Sequence, residues 1–86
     1  MTDYVGSNDG IARLYRLQPP PGHIEFRLLA CMTEKCAGDR FFATYEALAK
    51  HRLSMLDIMD AVRTLSGVYH EPIYLKGDGV EWGPFQ

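Results

Sequence analysis

From Ser54 to Gly67 the chain reads as one helix with both ends marked, and that helix limits what the remaining residues can become. Ser54 and Asp57 stand at S-x-x-D spacing, so the serine hydroxyl can reach the Asp57 amide while the acid sits near the positive helix end. Met55, Ile58, Met59, Val62 and Leu65 recur at intervals of three and four, which gathers them into one apolar stripe. Ser66-Gly67 ends the pattern. A helix with a single apolar stripe must bury it against another layer, and the rest of this short chain has to supply that layer.

The neighbouring segments are suited to the task. Thr44 can cap a shorter helix running from Tyr45 to about His51, with Ala47, Leu48 and Ala49 as its packing face. Arg40-Phe41-Phe42-Ala43 is short and aromatic, as a small strand would be. A further helix is expected from His23 to about Cys36. Ile24, Leu28, Cys31, Met32 and Lys35 recur at the helical interval, Phe26, Leu29 and Ala30 widen the apolar surface, and Gly38-Asp39 is the stop. At the C-terminal end, Pro72–Lys76 and Val80–Trp82 flank Gly77-Asp78-Gly79, a strong hairpin signal between alternating β-formers. Alternation puts Ile73, Leu75, Val80 and Trp82 inward and leaves Tyr74 and Phe85 outward. Pro84 then ends the pairing.

Before the first long helix, Pro19-Pro20-Pro21-Gly22 excludes helix and acts as a stiff spacer. Ile11–Leu17 fits an edge strand or a single helical turn equally well, and residues 1–10 read as a loose terminus. The organisation expected is therefore an arm over residues 1–22 followed by one domain over 23–86.

Composition narrows the function classes. A chain of 86 residues, 47% of them hydrophobic, makes one globular domain at most. The formal charge is -2 and the nine basic and eleven acidic residues are spread over both halves, so no basic arm is hidden behind an acidic tail. Dedicated nucleic-acid binders of this size usually carry the opposite balance, because phosphate neutralisation supplies much of their affinity. Two cysteines are too few for a disulfide scaffold, and no secretory signal or membrane-spanning run is expected. These features place the chain in a cytoplasm, that of a bacterium or of a phage-infected host.

Helix, short strand, two helices and a hairpin is the order of a winged helix-turn-helix, and over roughly residues 24–83 the chain resembles that superfamily. Thr44-Tyr45-Glu46-Ala47-Leu48-Ala49 resembles the start of the second helix in many bacterial winged-helix regulators. Arg52-Leu53-Ser54 stands where such proteins usually have a Gly-Val-Ser turn. Ile58, Ala61, Val62 and Leu65 match the buried positions of their recognition helix, and the hairpin at 72–82 would be the wing. The resemblance implies an α+β, winged-helix-like fold with an N-terminal arm. Two departures stand out: the turn carries Arg52 in place of glycine, and it looks one residue short.

The resemblance also implies DNA in the major groove beside the third helix, but the exposed side of that helix offers Leu56, Asp57, Asp60, Arg63 and Thr64. Two carboxylates aimed at a polyanion oppose binding. The groups available to phosphates or bases are Lys50, His51, Arg52, Ser54, Arg63 and Lys76. For a protein partner or a second copy of the chain, the candidates are Leu56, Asp57, Asp60, Arg63, Tyr74, Phe85 and Tyr15. Cys31 and Cys36 at C-x4-C spacing inside a predicted helix point about 140° apart, so no metal site is expected. No nucleophile–base pair stands out, and neither a catalytic residue nor a cofactor is assigned. The reading that leads is a small non-enzymatic regulator acting through protein–protein contacts. Its size and charge are similar to those of phage or mobile-element inhibitors of host machinery, such as anti-CRISPR proteins. The alternative is a dimeric winged-helix transcription regulator that binds DNA.

Overall fold

The structure, a computed structural model, describes residues 12–33, 36–37 and 40–85. A helical segment at 12–16 (α1) precedes α2 (His23–Met32), β1 (Cys36–Ala37), β2 (Arg40–Thr44), α3 (Tyr45–Lys50), α4 (Met55–Gly67), β3 (Ile73–Leu75) and β4 (Gly79–Trp82). The strands form one antiparallel sheet in the order β1-β2-β4-β3. Two helices, a strand, two more helices and a returning hairpin whose last strand pairs with the first long strand give the expected α+β, winged-helix-like arrangement. The loose terminus at 1–10, Lys35 in α2 and the Gly38-Asp39 stop lie outside the described residues.

The helix boundaries follow from capping chemistry. The Ala47 amide donates to the Thr44 hydroxyl at 3.1 Å and starts α3. Ser54 and Asp57 form a reciprocal capping box at the start of α4: the Asp57 amide donates to Ser54 Oγ at 3.1 Å, and the Ser54 amide donates to Asp57 Oδ2 at 3.4 Å. Such a pair satisfies two amides that a helix start leaves without an internal partner. α2 is shorter than the expected span to Cys36. It ends at Met32, with the Thr33 amide donating to Leu29 O and the Thr33 hydroxyl to Ala30 O. Cys36 belongs to β1, so helical spacing does not relate the two cysteines. The stretch expected to be either a strand or a helical turn is helical at 12–16.

The core lies between the helices and one face of the sheet. Ile58, Ala61, Val62 and Leu65 of α4 pack with Leu28, Leu29 and Met32 of α2, with Leu48, and with Phe41, Ala43, Ile73, Val80 and Trp82 of the sheet. Leu14 of α1 joins the same cluster. Trp82 is fully buried, its ring centroid 5.2 Å from that of Phe41 and 5.3 Å from that of Phe85 in an edge-on contact. Several expected core positions differ. Met55 and Met59 are exposed, because the buried arc of α4 runs over Ile58, Ala61, Val62 and Leu65 and these methionines lie beyond its Val62 edge. Leu75 is exposed where the edge strand runs out past the core, and Ala49 faces away from it, leaving Leu48 to anchor α3. Phe85, expected outside, is half-buried against Phe41 and Trp82 with the Arg13 guanidinium 4.2 Å above its ring centre.

Two local features hold the sheet and its connections in place. The first is the Glu71 carboxylate, in the link between α4 and β3 and only 8% exposed. Its Oε1 accepts from the Trp82 indole N–H at 2.9 Å and from Arg13 Nε at 2.8 Å, and its Oε2 accepts from Arg13 Nη2 at 3.3 Å. The second is Gly79, paired with Thr44 across β2 and β4. A Cβ there would lie 2.2 Å from the Ala43 carbonyl oxygen and 2.8 Å from Thr44 Cα, so only glycine lets the strands approach. The hairpin tip also ties back to α3: the Tyr45 amide donates to Asp78 O at 3.0 Å, and the Tyr45 hydroxyl to Lys76 O.

Both features are open to measurement. Gly79→Ala should lower stability by about 3 kcal/mol in denaturant melts, the upper end of overpacking costs, because the obstacle is backbone. Gly77→Ala, with open space around it, should stay within about 0.5 kcal/mol. Equal effects at the two glycines would refute the close approach. Glu71→Ala should cost about 2 kcal/mol by stranding a buried indole N–H, and Glu71→Gln, which keeps an acceptor, should cost less.

Candidate functional site

A tight turn joins α3 to α4, and it has an unusual occupant. His51 caps α3, Arg52 follows with φ 66°, and Leu53 turns inward. The Leu53 amide donates to Leu48 O at 3.2 Å and the Arg52 amide to Ala49 O at 2.9 Å. These two bonds, with buried Leu53 against buried Leu48, make a Schellman motif, in which the left-handed position is ordinarily glycine. Arg52 holds that position at a cost of roughly 1–2 kcal/mol. The departure seen in the sequence is thus accommodated by backbone conformation, leaving a long cation exposed next to the start of α4.

On α4, 100° per residue brings Leu56, Met59, Asp60 and Arg63 to one side, opposite the buried Ile58, Ala61 and Leu65. Leu56 is 77% exposed, and Met55 and Met59 border it. The face therefore holds three apolar side chains, one carboxylate and one guanidinium. Asp57, expected on this face, is committed to the capping box, and so is the Ser54 hydroxyl.

The other candidates are scattered. Lys50 and His51 are exposed at the end of α3, and the His51 carbonyl accepts from the Arg27 guanidinium of α2. Lys76 on the wing has Nζ 3.9 Å from Glu81 Oε1, so a carboxylate partly neutralises that cation. Glu81 also meets Arg40 at 3.5 Å across the sheet. Tyr74 is exposed on the outer side of the hairpin, with Lys76 Nζ 5.9 Å from its ring centre. Tyr15 is exposed on α1. Phe85 is engaged with Arg13 and the aromatic cluster. The structure brings Leu56, Asp60 and Arg63 together and leaves Tyr74, Lys76 and Tyr15 on other surfaces.

Met55 and Met59 belong to the face although their spacing matched the buried stripe. Both lie at the Val62 edge of the buried arc, and Met55 is the first residue of the helix. Among the described residues, no group of three or more His, Cys, Asp and Glu side chains could hold a metal ion, and no helix is long and apolar enough to cross a membrane. The α4 face exposes Leu56, Met55 and Met59, with Asp60 and Arg63 beside them.

Arg52→Gly should raise thermal stability by up to about 1 kcal/mol, the relief of left-handed strain less the added freedom of glycine in the unfolded chain. A loss of stability would mean that the Arg52 side chain makes contacts that outweigh the strain. In comparisons with known proteins, no family model, no curated protein and no solved structure matched this chain.

Proposed function

We propose that this protein is a small, non-enzymatic regulator that works by binding another protein, with the exposed face of α4 as the contact surface. The observation that carries the reading is Leu56, which projects into solvent between Met59 and Asp60 on the helix a winged-helix fold offers to its partner. Burying one such leucine is worth about 1.5–3 kcal/mol. Three adjacent apolar side chains therefore supply the centre of a contact, and Asp60 and Arg63 supply a polar rim. Fold does not fix function, and a winged helix whose exposed face has changed chemistry keeps its packing. The size and acidic balance fit an inhibitor of cellular machinery carried by a phage or mobile element and acting in the cytoplasm.

DNA binding by a dimeric winged-helix regulator is the second reading, and one observation favours it. Arg52 occupies a strained backbone position and keeps its charge exposed beside the start of α4, close in sequence to Lys50 and His51. Strain retained at a surface position is a reason to look for a role. Against it, the face meant for base edges carries Asp60 and three apolar side chains, and the wing cation is paired.

The two readings separate in one set of measurements. In a pull-down from the natural host, Leu56→Arg and Asp60→Lys should each abolish capture of the protein that the wild type retains, with the circular dichroism spectrum unchanged. Capture retained by both variants would remove the α4 face from consideration. A mobility shift on duplex DNA at low salt that weakens with Lys50→Glu or Arg52→Glu would establish the second reading instead.

A further inference from the structure

The exposed row along α4 is complementary to itself. Leu56, Asp60, Arg63 and Gly67 follow one another at intervals of four, three and four, which keeps them within about 60° of arc on the helix. All four are exposed. Among the described residues, neither the Asp60 carboxylate nor the Arg63 guanidinium has a hydrogen bond or an ion pair, with each other or with a neighbour. Gly67 is the last residue of α4, and a Cβ there would meet nothing within 4 Å, so the surface beside it is open. The row therefore runs from a leucine through a carboxylate and a guanidinium to a position without a side chain.

We propose that this row pairs with the same row of a second copy of the chain, the two α4 helices running antiparallel about a two-fold axis. The inference rests on α4 being the contact surface and names the occupant of that surface. An axis level with the midpoint between Asp60 and Arg63 sets Asp60 opposite Arg63 of the second copy, and Arg63 opposite its Asp60. Leu56 and Gly67 share that midpoint, so the same axis sets each leucine against the other copy's glycine. The leucine then enters a place that no side chain fills, and the bare glycine lets the helices come close. Met59 flanks Leu56 and adds carbon at either end. A parallel pair would set Asp60 against Asp60 and Arg63 against Arg63, so charge fixes the direction and the register. Burial of Leu56 supplies the attraction. A foreign partner would need a hollow, a cation and an anion in this order on one element, and a second copy carries them already.

The test is sedimentation equilibrium of the purified full-length chain from about 10 μM to about 1 mM. One helix per copy is a small interface, so a monomer–dimer equilibrium with a dissociation constant on the order of 10–100 μM is expected. Asp60→Arg and Arg63→Asp each bring like charges together twice, and each should weaken the dimer about tenfold or more, as should Leu56→Arg. An equimolar mixture of Asp60→Arg and Arg63→Asp chains restores both opposite-charge pairs, and it should dimerise within about threefold of the wild type. The two substitutions combined in one chain should do the same. All three positions are exposed, so the circular dichroism spectrum should not change. A chain that stays monomeric up to about 1 mM, a dimer insensitive to these variants, or charge variants that mixing does not rescue would each overturn the proposal. Host-protein capture that is lost with Leu56→Arg in a chain that stays monomeric would overturn the second copy as occupant and leave α4 as the contact surface. The expected dimer in a chain that captures no host protein would uphold the inference and remove the regulator reading.

Discussion

The Glu71 carboxylate is the interaction on which the rest of the architecture depends. It lies where α4 hands the chain to the sheet, and it is almost fully enclosed. A carboxylate in that setting is tolerable only with its lone pairs occupied, and here three N–H groups occupy them. One comes from Trp82 at the end of β4, and two come from Arg13 on α1. A single side chain therefore joins the first helical segment, the link after α4 and the last strand. Its backbone is placed as firmly: His70 turns at φ 56°, and the Glu71 amide donates to Leu65 O. Arg13 extends the junction by covering Phe85, which closes the aromatic cluster around Trp82.

From that junction the exposed chemistry follows. With the buried arc of α4 facing α2 and the sheet, Leu56, Met59, Asp60 and Arg63 must face out. α3 turns Leu48 into the core and packs Tyr45 against it, while Ala47 is too small to fill the space toward α2, and a groove remains. The exposed α4 face and the groove are thus consequences of how narrowly each helix commits to the core.

What the sequence made legible was local. The Thr44 and Ser54 caps, the Gly-Asp-Gly hairpin and the order of elements rest on contacts a few residues apart, and each is present. Leu56 as an outward leucine, with Asp60 and Arg63 near it, came from helical spacing. Periodicity could not tell an apolar side chain at the border of a stripe from one at its centre, and so Met55 and Met59 were placed inside. The end of α2 was hidden because nothing in its apolar pattern distinguishes Met32 from Cys36, yet Cys36 already pairs in β1. Phe85 and Glu71 depend on Arg13, which lies 58 residues from Glu71, and no local pattern encodes a partner that far away. The groove has the same origin, since its walls come from separate helices and a strand.

The bonds from Tyr45 to the hairpin tip change what that hairpin can be. A surface loop between two strands is ordinarily where a chain absorbs insertions and drifts in length. Here the first amide of α3 is anchored on the Asp78 carbonyl and the Tyr45 hydroxyl on that of Lys76. Lengthening the loop would withdraw the acceptor that helps to start the helix. The wing is in effect a cap for α3 that happens to be donated from the far end of the chain, and its tip has the fixed length of a mechanical part.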